Sequence, residues 1–583
     1  MTVQNRDKII LTIFGALSGL AFHALIYWLP KIRDLDSLTL WVTVFFICFF
    51  GGALTMAGPV NLKRSLMPVA GFGAVVATLI FWASLRFTDA EKFIETGHPF
   101  GVVFVMFVII VPFLIATIST GSLSRKYTDL FDALWGAVTR VVVSSAFTGI
   151  FWLLLLLSDA LLELVGITLI EMLIDIDGVP PVLTGAVFGL TIVVVHELSD
   201  MISPQLILRL LRLLMPMITV VVAIFVVALP FRGLSNLFGS LSAGGVMMGM
   251  GLVAIGLVSA TIDRTSAHGV QRSWMKGFVQ VLACLVPILG GLAIAAVWVR
   301  VQDYGWTPNR LAAATIAITV FTYGLVYAGS ILRRGDWGHR LRHGNIALAQ
   351  GVLVVLALWL TPLLNPQAIS ARSQVARLDA GETLDKLPIY EMAHDWGHAS
   401  ASQVAELGER FEANGNTEGQ EMIADVQAAT NRWVFNSILA QVEADKRTLE
   451  LDTALIIYPK GSVLPSEVLS GFDYRRREIF DICLGVDVPQ SDNCVLISIP
   501  ASDGQEEHFV LFTGIKTERQ TVWTFNRDDG EPYRRNSESI TLSDAATSDL
   551  LNGVYTIAPP RWSSVQLDGV NVHPNPWTME IDW

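Results

Sequence analysis

Apolar runs dominate the first 364 residues. They fall at Ile9–Leu29, Leu38–Gly58, Met67–Leu85, Gly101–Thr120, Val141–Ile167, Leu183–Val195, Leu213–Leu229, Val246–Ile262, Gly277–Val299, Leu311–Leu332 and Ile346–Leu364. Most approach the ~20 residues that an α-helix needs to cross a bilayer core. The sixth is short and the seventh follows LRLLR, so either reads as spanning or as re-entrant. The count is therefore about eleven, open by one or two.

The pattern changes after Asn365. Residues 365–389 are polar and read as a linker. From Tyr390 to about Arg447, Ala, Glu, Gln and Arg with intermittent apolar positions predict two or three helices. Asn414–Gly415–Asn416 marks a turn between them. Beyond Ala454, ALIIYP, VLISIP, HFVLFTGI and TVWTF are short β-branched and aromatic runs bounded by Pro, Gly, Asp and Asn, the signature of strands. The predicted fold is an α-helical polytopic membrane bundle of about 11 transmembrane helices followed by a small α+β soluble domain. The domains are 1–364, a linker at 365–389, and 390–583.

Composition sharpens this division. The chain is 52% hydrophobic and 16% charged, against about 25% charged in soluble proteins. Residues 365–583 carry 17 Lys+Arg and 34 Asp+Glu, and residues 1–364 carry 23 and 18. An acidic tail argues against nucleic acid as a partner, because phosphate backbones require a basic footprint. Membrane lipids are the expected partners of the first part. The loops after even-numbered segments hold fourteen Lys and Arg, against seven after odd-numbered ones. This bias predicts a cytoplasmic N-terminus. With an odd number of spans, the C-terminal domain lies outside, in the periplasm of a bacterial inner-membrane protein. The first run is longer than a signal-peptide core and ends in Tyr27, Trp28, Leu29 and Pro30 rather than small residues, so no cleavable signal is expected.

Few residues stand out for chemistry. Asp159 and Glu163 are four apart and share a helix face. With Glu171, Asp175 and Asp177 they form either an outward-facing acidic vestibule for a cation or proton, or a solvated helix end. His196, Glu197 and Asp200 in HELSD lack the second His of HExxH, so a metalloprotease face is missing. His23 reads as a packing or interface residue. Cys48 and Cys284 lie in apolar runs and read as packed thiols. Cys483 and Cys494 are either disulfide-bonded, which an oxidising compartment permits, or two unrelated thiols. Gly15-x-x-x-Gly19 and Gly245-x-x-x-Gly249 permit close helix approach. DWGH occurs at Asp336–His339 and again at Asp395–His398, on opposite sides of the predicted topology, and reads as coincidence. No Walker, GxSxG or zinc-ligand pattern is present, and no cofactor or metal is expected.

RVQDYGWTPNR, at 300–310, is richer. Thr307 and Pro308 are an N-cap followed by a first-turn proline. Tyr304 and Trp306 suit an outer membrane interface, with Asn309 and Arg310 in the first turn. Arg310 is placed to pair with an acid such as Asp303 or Glu163, or to anchor in the interface. The stretch YGWTPNRLAAATIAITVFTYGLVYA resembles the late helical hairpin of a bacterial polytopic inner-membrane family, domain of unknown function 4153. There a Tyr-Gly-hydrophobic-Thr-x-x-Arg motif opens a transmembrane helix, matched here by Tyr304, Gly305, Trp306, Thr307 and Arg310. IYEMAHDWGHASASQVAEL is similar to the family's short post-membrane segment, with Asp395 and Gly397 in it. The resemblance spans about the first two thirds of the chain. It implies a multi-span membrane protein and no established activity.

The functional expectation is envelope transport, or scaffolding and sensing, with a periplasmic C-terminal domain that binds a periplasmic protein or ligand. The alternative is a membrane-embedded enzyme acting on a lipid-linked substrate at the outer face through Asp159, Glu163 or Arg310.

Overall fold

The structure, a computed structural model, describes residues 3–32, 35–121, 126–198, 204–232, 243–265, 272–333, 335–439, 455–460, 483, 494–500, 507–515, 520–526, 534–556, 565–567 and 570–572. Among the described residues, eleven helices are long and apolar enough to cross a membrane. They are α1 (Val3–His23), α2 (Ser37–Met56), α3 (Leu62–Ser84), α4 (His98–Thr120), α5 (Tyr127–Glu163), α6 (Val179–Glu197), α7 (Pro204–Arg232), α8 (Ala243–Ile262), α9 (Ser273–Tyr304), α10 (Pro308–Leu332) and α11 (Trp337–Leu360). The short sixth run and the seventh both belong to full-length helices. Pro180 and Pro181 occupy the first turn of α6, which begins before its apolar run. Ile13, Phe104, Leu153, Leu154 and Met217 are exposed on these helices, as a lipid-facing surface requires and a water-facing one disfavours.

Helix ends alternate between two faces of the bundle. One face gathers basic residues. There Lys8 pairs with Glu197 at 2.8 Å and Arg212 with Asp263. Arg342 donates to the carbonyl oxygens of Ile262 at 2.9 Å and Asp263 at 3.1 Å, closing the C-terminal end of α8, where carbonyls lack helical partners. Asp336 caps α11 by accepting from His339 N at 3.0 Å. Arg140, counted in a loop from the sequence, is inside α5. The helix begins at Tyr127 rather than near Val141. The buried guanidinium donates to the Thr55 carbonyl oxygen at 3.3 Å.

The core has separate centres. Leu40, Phe72, Val76, Ile80 and Met106 gather α2, α3 and α4 with the end of α11. Val258, Leu282, Val286, Leu289, Val320 and Tyr327 gather α7 to α10. Meanwhile α1 lies on α6. A Cβ at Gly15 would overlap the backbone of Gly185, and one at Gly19 would overlap Pro181. The close approach expected of Gly15-x-x-x-Gly19 is therefore present. Gly249 of the second motif does not share it, since nothing lies within 4 Å of a Cβ there.

The helical unit continues beyond the last membrane-length helix and ends at Gln427; a second compact unit spans Ala428–Trp583. The segment 365–389, expected as a linker, contains α12 (Pro366–Asp379) and a 3-10 turn at Leu384–Lys386. Asn365 starts α12 by accepting from Ala368 N at 3.2 Å, with Pro366 at the first helical position. Then follow α13 (Ile389–His394), α14 (His398–Ala413) and α15 (Thr417–Ala428). The turn between α14 and α15 holds Gly415 at φ 68°.

The second unit contains a five-stranded sheet in order β1-β2-β3-β4-β5, formed by β1 (Ile456–Tyr458), β2 (Cys494–Pro500), β3 (Glu507–Thr513), β4 (Gln520–Asn526) and β5 (Arg534–Ile540). The β1–β2 pair is parallel and the others are antiparallel. Val495 and Ile497 pack with Leu550 of α16 (Asp544–Leu551). Leu496, Leu511 and Trp523 are in register on the other face and also buried. Cys494 shares that second face and is disulfide-bonded to Cys483. A two-stranded ribbon, β6 (Val565–Leu567) with β7 (Val570–Val572), completes the described part.

Candidate functional site

At the face opposite the basic one, the motif YGWTPNR turns α9 into α10. Helix α9 stops because Gly305 takes φ 69°, a conformation costly for residues with a Cβ. Thr307 accepts from Arg310 N at 3.3 Å and Pro308 follows, so the predicted N-cap is present. Arg310 folds back over the turn, donating to the carbonyl oxygens of Tyr304 at 3.1 Å and Gly305 at 2.7 Å. Its guanidinium lies 5.4 Å from the centre of the Tyr304 ring, a cation–π contact.

Helix α12 completes the turn. The buried Gln374 amide donates to the carbonyl oxygens of Tyr304 at 3.0 Å and Trp306 at 2.8 Å. Ser373 accepts from Trp306 N at 3.2 Å, and Arg377 donates to the Asp303 carbonyl oxygen at 2.9 Å. A Cβ on Gly305 would press on both Gln374 and Arg377. Backbone carbonyls at a helix break need partners once water is excluded; here side chains two helices away provide them.

A second clamp lies beside the first. Arg86, just after α3, donates to the carbonyl oxygens of Trp359 at 3.1 Å and Thr361 at 2.6 Å. Burial pulls its guanidinium down to about 10, still charged at neutral pH. The Arg86 carbonyl oxygen accepts from His398 N at 2.8 Å, and Gly397, at φ 72°, leaves room for it. Lys92 donates to the His394 carbonyl oxygen at 3.0 Å, and His98 and Asn309 are hydrogen-bonded at 3.2 Å. The second DWGH thus docks on Arg86, whereas the first caps α11 at the basic face.

Tyr304, Trp306, Asn309 and Arg310 are therefore brought together. Asp159 and Glu163 occupy the last turns of α5, the first half-buried and the second exposed. Among the described residues no hydrogen bond or ion pair joins either acid to Arg310. Arg310 takes backbone carbonyls in place of Asp303 or Glu163. His196 lies against Gly58, and Glu197 is the partner of Lys8; Asp200 lies outside the described residues. His23 is buried against the rings of Tyr27 and Trp28. No group of three or more His, Cys, Asp or Glu side chains is placed to hold a metal ion among the described residues.

Sequence reasoning missed Arg86, Gln374 and Arg377. A usable signal existed: Asn365–Pro366 repeats the cap-then-proline start of Thr307–Pro308, and it announces a helix in place of a linker.

It also missed a cavity of about 290 Å³ among α4, α5, α8, α10 and α11. Phe113, Phe131 and Trp135 wall it, and Tyr127, Ser259, Tyr323 and Asn345 bring polar groups to it. Behind it Tyr327 donates to Asn345 Oδ1 at 2.7 Å, and Asn345 donates to Ser259 Oγ at 3.1 Å. These polar residues are neutral and scattered through apolar runs, so no charge marks them in the sequence.

The fold and its clamps define a multi-span helical bundle whose post-membrane helices are locked onto one face. The chain belongs to the family of the domain of unknown function 4153, whose model matches residues 53–393. The match covers α3 to α12 and the YGWTPNR turn, and stops just short of Asp395 and Gly397. No curated protein and no solved structure matches the chain.

Proposed function

We propose that the protein is a non-enzymatic component of a bacterial inner membrane, with its N-terminus in the cytoplasm and its α+β unit on the periplasmic side. There the unit binds a periplasmic protein or ligand, and the protein acts in scaffolding or sensing across the envelope. One observation carries this reading: the polar groups of the YGWTPNR turn are committed to bonds within the turn, to His98 and to α12. A reaction centre needs donors aimed at the place where charge develops on a substrate. Arg310, Gln374 and Arg377 are aimed at backbone carbonyls instead. The same groups give the bundle a rigid outlet to the helices that precede the second unit.

The test is complementation of a bacterial deletion strain under osmotic and detergent stress, with the full chain and with a chain ending at Gln427. Phosphatase and fluorescent reporters after Asn345 and at the C-terminus establish topology in the same strain. The reading requires that the full chain restores growth, that the shortened one does not, and that phosphatase is active only at the C-terminus. Full restoration by the shortened, membrane-inserted chain would show that the periplasmic unit is not the working part.

A further inference from the structure

The cavity among α4, α5, α8, α10 and α11 is walled by helices long and apolar enough to cross a membrane. A molecule that reaches it from the bilayer has to be lipid-soluble. None of the side chains lining it is charged. An ionic headgroup placed there would lose its hydration without gaining a counter-charge from the lining, which disfavours it. An ion or an anionic phospholipid head is therefore a poor occupant.

The lining is not purely apolar either. Tyr323 brings a phenol to the cavity from the middle of α10, and its hydroxyl has no hydrogen-bond partner among the described residues. Its ring meets that of Tyr327 edge-on at 6.0 Å, and Tyr327 is itself tied to Asn345 and Ser259. The neighbouring polar groups are thus ordered while the Tyr323 hydroxyl is left to donate into the cavity. A hydroxyl facing hydrocarbon is costly until it finds an acceptor.

Shape narrows the occupant further. Phe113, Phe131 and Trp135 line the space together with Tyr127 and Tyr323, and aromatic walls favour a flat ring through offset or edge contacts. The volume of about 290 Å³ lies just below the range of roughly 300–1,000 Å³ for ligand sites. That accommodates one ring and the start of a tail.

We propose that this cavity binds an uncharged, membrane-dissolved prenylquinone, with a ring carbonyl accepting from Tyr323 and the ring held among Phe113, Phe131 and Trp135. Trp135 provides the readout, because quinones quench indole fluorescence on contact. The full-length protein in phosphatidylcholine nanodiscs is titrated with decylubiquinone, and dioleoylglycerol is the competitor. The expected result is a saturable quenching component above the linear quenching that partition into the bilayer produces. Trp135→Phe removes that component. Tyr323→Phe, which deletes only the hydroxyl, weakens the apparent affinity by about three- to tenfold. Ala349→Leu, which fills the space from α11, abolishes saturation; if that variant does not fold, Tyr323→Phe still decides. Quenching that is only linear overturns the proposal, as does equal affinity in Tyr323→Phe. Displacement by dioleoylglycerol at equal concentration also overturns it, since it shows that the ring is not what is recognised.

Discussion

Gln374 donates its side-chain amide to the Trp306 carbonyl oxygen at 2.8 Å, across the gap between α12 and the α9–α10 turn. The same nitrogen reaches Tyr304 at 3.0 Å. The polar sequence around Gln374 suggests a tether, yet it holds the turn between two membrane-length helices. Gln374→Leu keeps most of the side-chain volume and deletes both donors. The Trp306 carbonyl oxygen loses this donor, while that of Tyr304 keeps Arg310, so the loss is about 1–3 kcal/mol when the site stays dry. The detergent-solubilised variant is expected to melt several degrees below wild type. An unchanged melting temperature would mean that water replaces the amide and that the clamp is not structural.

Gly15 and Gly249 lie in the same sequence motif with opposite surroundings. Gly15→Ala drives a methyl group into the backbone of α6, an overpacking worth about 1–3 kcal/mol. Gly249→Ala meets open space and should leave stability unchanged. Thermal unfolding of the two variants side by side checks this. Equal losses would show that α1 and α6 are not packed as described.

The bridge between Cys483 and Cys494 gives a chemical test of sidedness. Disulfides persist in oxidising compartments and are rare in the cytosol. In membranes from cells with an intact periplasmic oxidase, both thiols should resist maleimide until reduced. In cells lacking that oxidase they should label after denaturation. Cys48, buried in the helical bundle, should label only after denaturation in both strains. Loss of the bridge should lower the stability of the second unit by about 2–4 kcal/mol. Free, reactive Cys483 and Cys494 in oxidase-positive cells would count against a periplasmic location.

Acid should weaken one contact selectively. Glu382 accepts from Lys386 and from Arg377, each at 3.0 Å. The Lys386 hydrogen bond holds its carboxyl below the usual carboxylate range against an opposing effect of desolvation, with the charges of Lys386 and Arg377 adding to the lowering. Because the folded state favours the ionised form, the contribution is complete above the unfolded pKa. It is lost as pH falls through the lower folded value. Glu382→Gln should therefore melt slightly below wild type at neutral pH, with the gap closing on acidification. A gap that widens in acid would reverse the assignment.

The membrane-length helices were legible because lipid demands long apolar runs, and a run of twenty such residues has few other uses. Their ends were less so. Arg140 reads as a loop residue because charge normally stops a span, but α5 carries it inside, against the carbonyl at the end of α2. The strands at 494–500, 507–513 and 520–526 were legible as apolar runs for a related reason. With both faces of the sheet covered, the usual alternation is replaced by near-continuous apolar sequence. β5, with RRNSES, has no such run and escaped notice. At the YGWTPNR turn the sequence supplied the cap and the aromatic anchors. It did not supply their partners, because Gln374 and Arg86 are distant in the chain and ordinary in type. The cavity was illegible altogether, being a property of five helices rather than of any one.

The packing of α1 against α6 carries a consequence for how the chain is made. Gly15 and Gly185 meet through their backbones, yet four membrane-length helices separate their elements in the sequence. At about 5–20 residues per second of synthesis, α1 enters the bilayer on the order of ten seconds before α6 exists. During that interval its glycine face has no protein to cover it. Helix α1 thus waits in the membrane for α6, and the pair closes while α7 to α11 are still to be made.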